Sequence, residues 1–205
     1  MEMYTLLATI TVAFITAILG PIVVLWAKTK LESKDKKSSM DEAIELNKLV
    51  DEQIDLIMNE LDCDRVWLAQ FHNGGYFYPT GKSIQKFSIF YEKIMPEEES
   101  LIQVLQNIPV SLFPKTLAEI YKKGEIELAN YDECENLLDL EMFFKSYGTK
   151  SLYMVGLYDL KEQLIGILSL HYNEEHKLDN SSWIFLRQKV GVIGTLLDKY
   201  LNKKQ

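Results

Sequence analysis

The chain has 205 residues, enough for one well-buried α+β core but hardly for two independent globular domains. Its 47% apolar and 25% charged residues exclude a disordered chain, and two cysteines, Cys63 and Cys134, outside any CxxC pattern, exclude a disulfide-rich miniprotein or a thiolate metal centre. The formal charge is −8; residues 1–40 carry five lysines against three acids, net +2, so about −10 falls on the rest. An acidic body without a basic stripe excludes nucleic acid as a partner.

From Met3 to Ala27 no residue is charged. As a helix this run would reach about 37 Å, more than the roughly 30 Å hydrocarbon core requires. Tyr4 and Trp26 mark its ends, where amphipathic rings favour the headgroup level. The start is acidic, and Lys28, Lys30, Lys34, Lys36 and Lys37 follow the run, the reverse of a cleaved secretory leader. Residues 1–27 are therefore expected to be a single-pass transmembrane helix, with the N-terminus outside and the C-terminal domain cytoplasmic. Residues 28–40 form a basic juxtamembrane linker, and residues 41–205 the cytoplasmic domain.

Ser39 followed by Glu42 offers a capping box. Leu46, Val50, Ile54, Ile57 and Leu61 then recur at helical spacing, predicting an amphipathic helix with an acidic outer face. Arg65–Phe71 alternates as a strand. Asn73-Gly74 reads as its turn, the start of a packed aromatic loop that leads into a second strand over Ile84–Ile94. Glu97–Asn107 reads as a helix behind Pro96, and Pro114–Lys123 as another, closed by Gly124. A short strand over Ile126–Ala129 and a helix over Glu135–Ser146 follow. Ser151–Tyr158 and Gln163–His171, joined by Asp159–Glu162, form an antiparallel hairpin. Ser181 or Ser182 caps a last helix, whose apolar positions are Leu186, Val190, Ile193, Leu197 and Tyr200. The first and last helices carry more apolar surface than one small sheet face needs, so a homodimer through residues 41–61 and 182–201 is expected.

This element order, with the final hairpin SLYMVGLYDLKEQLIGILSLHY, resembles the small-molecule sensor modules called GAF domains. The resemblance implies an α+β, GAF/PAS-like fold: a central antiparallel sheet flanked by helices. The first and last helices would cover one face, and a ligand pocket would lie on the other, under the connecting helices. Leu164-Ile165-Gly166-Ile167-Leu168 matches the closing strand of such domains, whose glycine permits close packing. The Asn-Lys…Phe…Asp-Glu set of cyclic-nucleotide-binding members, the close cysteines of members that reduce methionine sulfoxide, and a chromophore-linked cysteine are not found.

The residues that could line a ligand site are His72, Asn73, Gly74, Tyr76, Tyr91 and His171. His72 is a titratable imidazole beside an Asn-Gly-Gly turn that could bind an anion; equally, His72 and Asn73 could do no more than fix the loop. Tyr91 and His171 stand at strand ends, which often border pockets. Gly81-Lys82-Ser83 lacks the earlier glycine of a phosphate-binding loop. Glu97, Glu98 and Glu99 suit a helix start, His176 lies in a solvated turn, and Asp132, Glu133 and Glu135 read as a solvated acidic surface rather than a metal site. No catalytic or metal-ligating residue is assigned, and the cofactor is unknown. The expected function is a membrane-tethered, non-enzymatic sensory or protein-interaction module that binds a small ligand or a cytoplasmic partner protein. The alternatives are a degenerate structural platform for homodimer assembly, and an enzyme. A filled volume under the connecting helices would favour the platform; a cavity of several hundred Å³ bordered by His72 or Tyr91 would favour sensing.

Overall fold

The computed structural model describes residues 20–24, 26, 39–77, 79–130 and 138–201. The chain divides between Ala43 and Ile44 into two units, taken separately. In the first, residues 20–24 are helical. Most of the charge-free run Met3–Ala27 and of the linker 28–40, as well as Cys134 and the acids at 132, 133 and 135, lie outside the described residues. Among the described residues no helix is long and apolar enough to cross a membrane.

The second unit is built on a six-stranded sheet in which every neighbouring pair is antiparallel. In chain order the elements are α1 (Ser39–Leu61, which begins in the first unit), β1 (Arg65–Tyr76), β2 (Ser83–Ile94), β3 (Ile108–Pro109), a 3-10 turn (Val110–Leu112) and α2 (Pro114–Lys123). They continue with β4 (Glu125–Leu128), α3 (Leu138–Lys145), β5 (Ser151–Tyr158), β6 (Leu164–Tyr172) and α4 (Asn180–Leu201). The spatial order is β3-β2-β1-β6-β5-β4.

Strand alternation divides the core in two. Val66 and Leu68 of β1, Leu168 and Leu170 of β6, and Tyr153 and Val155 of β5 face α1 and α4. Trp67, Ala69, Ile167, Leu152 and Met154 face the opposite way, under α2, α3 and the segment between β2 and β3. The helical spacing read from the sequence is the buried stripe in both long helices: Leu46, Val50, Ile54, Ile57 and Leu61 in α1, and Leu186, Val190, Ile193 and Leu197 in α4. Tyr200 departs from it and is exposed. The arrangement is the one the resemblance implies.

Five local expectations are corrected. Asn73-Gly74 is not a turn. β1 runs on through both to Tyr76, because the Asn73 Oδ1 accepts bonds across the ladder from Ser83 Oγ and Gln85 Nε2, at 3.0 and 3.2 Å. The turn comes later, closed by Phe77 N–H to Lys82 O (2.8 Å), with Gly81 at φ +67. Gly75, at φ +108, serves a bulge instead. Nor is the aromatic loop packed, since Tyr76 and Phe77 are exposed.

Glu97–Asn107 is not a helix. Leu101 and Ile102 N–H donate to the Glu92 carboxylate at 2.8 and 3.2 Å, and Gln106 Nε2 donates to Ile89 O at 2.7 Å. Tertiary bonds thus take groups that a helix would pair internally, and Leu101 and Leu105 are buried against the sheet. The cap of α4 is Asp179, whose Oδ1 accepts Ser182 N–H at 2.7 Å, not Ser181 or Ser182. These hydrogen bonds hold the Asp179 carboxyl below the usual range. Finally, His176 is half-buried, stacked on Tyr172 at 4.0 Å between ring centroids.

Gly166 sits where β6 crosses β1. A Cβ there would come within 2.3 Å of Ala69 O, so any side chain must push the two central strands apart. Gly166→Ala is expected to cost about 1–3 kcal/mol, read as a lower urea midpoint with an unchanged m-value. An unchanged midpoint would show that the central strands can separate freely.

Candidate functional site

The sheet face opposite the long helices is where a ligand pocket was expected. It has an apolar part and a polar end. In the apolar part, Trp67, Phe87, Phe113 and Phe144 interleave. Trp67 stacks on Phe144 at 6.2 Å, and Phe87 and Phe113 tilt together at 5.9 Å. These rings, with Leu105, Leu117, Met154 and Ile167, leave a cavity of about 20 Å³. That is room for about one water molecule, within an apolar lining.

The polar end starts from Arg65, which opens β1 directly opposite His171 of β6. Arg65 is only 1% exposed. Its Nη2 donates to Glu98 Oε2 at 2.8 Å and to Glu99 O at 2.7 Å, and its Nε lies 3.8 Å from Glu92 Oε1. Glu98 turns its other oxygen to Asn173 Nδ2, and the Tyr147 ring lies 5.9 Å from the guanidinium carbon. Nε and Nη1 have no hydrogen-bond acceptor among the described residues. With Glu92 and Glu98 both beside it, the cluster already has one more carboxylate than it has cations, so these N–H groups suit a neutral acceptor rather than a further anion.

His171 is fully buried, and its tautomer follows from its partners. The Trp67 indole can only donate, and its Nε1 lies 2.7 Å from His171 Nε2, so Nε2 carries no proton. Ser169 Oγ, 3.0 Å from the same nitrogen, therefore also donates. The proton is on Nδ1 and goes to Thr149 Oγ1 at 3.1 Å. Burial first, and the nearby Arg65 second, depress the His171 pKa well below 6.5.

Ser169 and His171 thus pair a hydroxyl with an imidazole at the distance of a nucleophile and its base. Three observations argue against catalysis. Both residues are fully buried. The lone pair that would take the serine proton is shared with an indole N–H. The group on Nδ1 is a threonine hydroxyl rather than the carboxylate that stabilises an imidazolium.

The six residues singled out in the sequence do not form one site. His171 belongs to the polar end just described. His72 lies seven positions along β1 from Arg65, about 23 Å away at ~3.3 Å per residue. There its Nε2 meets Ser88 Oγ at 2.9 Å. Asn73, Gly74 and Tyr76 continue outward along the same strand. The His72 and Asn73 side chains both bond to residues of β2, Ser88, Ser83 and Gln85. Tyr91 is on the other face, packed against the α1–α4 core, with its hydroxyl donating to Asn47. Burial raises its phenol pKa. With Asn47, Lys48, Asp51 and Phe90 it borders an open groove of about 560 Å³ beside α1. Phe90 is the extra residue of a β2 bulge, where Leu68 pairs with Tyr91 but Ala69 with Ile89.

Arg65 and Glu98 were not singled out as site residues. The available signal was a lone arginine opening an apolar strand ahead of an acid-rich Glu97-Glu98-Glu99 run. Cys63 was expected as a core thiol, and it is buried and free, with its pKa pushed up to about 12 by burial.

No family model and no curated protein matches the chain. Its similarities are to solved GAF domains. GAF3 from Slr1393 of Synechocystis sp. PCC6803 aligns at 17% identity over 76% of this chain and 95% of that one, with a TM-score of 0.57. The phycocyanobilin-bound GAF domain of a cyanobacterial phytochrome aligns at 16% over 89% and 97%, with a TM-score of 0.60. The PixJ GAF domain of Thermosynechococcus elongatus, in its blue-light-absorbing form, aligns at 13% over 80% and 90%, with a TM-score of 0.62. At these identities the likeness shows the fold, and the fold of this chain is that of a GAF domain.

The His171 geometry sets a pH dependence. Its folded pKa lies below its unfolded value of about 6.5, so the unfolded chain binds the extra proton first. The contribution to stability is complete above that pH and is lost as pH falls below it, at up to about 1.4 kcal/mol per pH unit. Urea titrations from neutral to mildly acidic pH should show this slope, and His171→Asn should flatten it. A slope equal in both proteins would mean that the imidazole is not held neutral by the fold.

Proposed function

We propose that the chain is a non-enzymatic sensory-type module of GAF fold that is tethered to a membrane and responds to a partner protein rather than to a small molecule. The observation that carries this reading is how little space the described side chains leave on this sheet face. Small-molecule pockets occupy about 300–1,000 Å³, whereas about 20 Å³ is left among Trp67, Phe87, Phe113 and Phe144. A chromophore such as the one bound to the phytochrome GAF domain has no room there. The groove beside Tyr91 is large enough but open to solvent, better suited to a side chain of a partner than to enclosing a ligand.

Tethering rests on the charge-free run Met3–Ala27 and the five lysines after it, which place the N-terminus outside and the domain in the cytoplasm. Homodimerisation through residues 41–61 and 182–201 is supported by apolar side chains left exposed on both helices, Ile44 and Leu56 on α1 and Ile184 and Val192 on α4. Because only the short linker separates α1 from the tether in sequence, a partner that alters the packing of these helices would change how the domains are held at the membrane. The burial of the Ser169–His171 pair supports the non-enzymatic reading.

A second reading, in which a small neutral ligand enters the same face, is favoured by the two Arg65 nitrogens, Nε and Nη1, that have no acceptor among the described residues. Native mass spectrometry of full-length protein extracted in detergent separates the two. Two copies with no retained small molecule are expected. A small molecule retained in stoichiometric amount would establish the second reading.

A further inference from the structure

The chain has 30 acidic residues against 22 basic ones, yet no Asp or Glu occurs between Asp64 and Glu92. That acid-free stretch is β1, β2 and the loop joining them. Past the Gln70–Gly166 pair β1 leaves β6, and β3 reaches only Lys86 and Phe87 of β2. Beyond His72 and Lys86 the ends of β1 and β2 therefore pair only with each other, as an arm of about 13 Å for the four residues Asn73–Tyr76 at ~3.3 Å each. A two-stranded ribbon of this kind is marginally stable in water.

The arm ends in aromatic rings beside ammonium groups. Tyr76 is 73% and Phe77 55% exposed. Lys82 joins Phe77 in the closing pair of the loop, and the methylenes of Lys86 lie across Gly74. Neither lysine makes an ion pair among the described residues, whereas Lys93, at the other end of β2, is held between Asp51 and Asp55. An exposed amphipathic tyrosine and an exposed apolar phenylalanine next to these lysines match the interfacial layer of a bilayer, where tyrosine favours the headgroup level, phenylalanine the headgroup–acyl boundary, and each lysine near an anionic surface gains about 1 kcal/mol. Two lysines do not compensate a body of about −10 for binding to nucleic acid.

We propose that the tip of the β1–β2 arm docks on the bilayer surface, with Tyr76 at headgroup level, Phe77 at the headgroup–acyl boundary and Lys82 and Lys86 against anionic phospholipid. The proposal deepens the membrane reading by naming the part of the domain that meets lipid, but it does not depend on the segment Met3–Ala27 spanning the bilayer.

The test is hydrogen exchange of full-length protein reconstituted into vesicles of phosphatidylcholine alone or mixed with phosphatidylserine. Amides over residues 73–86 are expected to exchange more slowly on the anionic vesicles, by about fivefold for each lysine, the equivalent of ~1 kcal/mol. Tyr76→Ser/Phe77→Ser and Lys82→Glu/Lys86→Glu should each remove this protection, with exchange in β5 and β6 unchanged as the check of folding. Equal exchange on both vesicles would overturn the proposal, as would protection that appears in vesicle-free micelles and grows with protein concentration, which would mark a contact between copies. If the chain does not insert, flotation with preformed anionic vesicles decides. Arm-dependent co-flotation upholds docking while removing the tether, and no co-flotation overturns both.

Discussion

One buried guanidinium holds the covering segment of this domain to its sheet. Arg65 opens β1, and through Nη2 it grips the Glu98 carboxylate and the Glu99 carbonyl, with Glu92 of the neighbouring strand 3.8 Å from its Nε. Glu92 in turn accepts the N–H groups of Leu101 and Ile102, and Glu98 accepts Asn173 beyond the end of β6. Three strands and the connection between β2 and β3 thus meet on one cation. Taking such charges out of water costs several kcal/mol for each ion, and the cost is recovered only when the geometry is good and other donors satisfy the carboxylates. Here backbone amides do so. A cluster of this kind adds little stability relative to apolar packing, but its bonds define the path of residues 96–107 over the sheet.

That path closes the face. With the segment fixed, Leu101 and Leu105 are buried against the sheet, and Phe113 and α2 follow in place over Trp67 and Phe87. Trp67 brings an indole N–H into this apolar layer, which would be costly without an acceptor, and His171 supplies it. The imidazole is therefore committed to structure at both nitrogens. A GAF fold is compatible with a ligand at this location, but side chains decide whether there is one. Among the described residues, aromatic rings leave about 20 Å³ on this face, and the proposed partner surfaces are on the outside: the exposed sides of α1 and α4 and the groove at Tyr91.

The parts of the fold that depend on periodicity were legible in the sequence. The buried stripe of α1 from Leu46 to Leu61, the β5–β6 hairpin with its Asp159–Glu162 turn, and α2 between Pro114 and Gly124 all follow from local rules, and local rules decided them. Where a long-range bond competes with a local preference, the sequence misleads. Pro96 followed by three glutamates has the composition of a helix start, but Arg65 and Glu92 claim the groups that the helix would need. Asn73-Gly74 has the composition of a turn, but the Asn73 side chain is more useful across the ladder, and Gly81 supplies the positive φ five residues past the strand. The candidate site was half visible. His171 was picked for its place at a strand end, whereas its partners Trp67, Ser169 and Thr149 come from three different strands or loops and share no motif. Nothing in the spacing of His72 and His171 reveals that they lie near opposite ends of β1.

The central claim is that the Arg65 cluster, rather than the intrinsic preference of the segment, keeps residues 96–107 closed over the aromatic face. Amide exchange at Leu101 and Ile102 in Arg65→Met measures this directly. Loss of the cation leaves two buried carboxylates uncompensated, and these amides are expected to exchange at least about tenfold faster while those of β5 and β6 keep their rates, because the opening is local. Unchanged rates at Leu101 and Ile102 in a folded Arg65→Met protein would contradict the account and return the closure to hydrophobic packing alone.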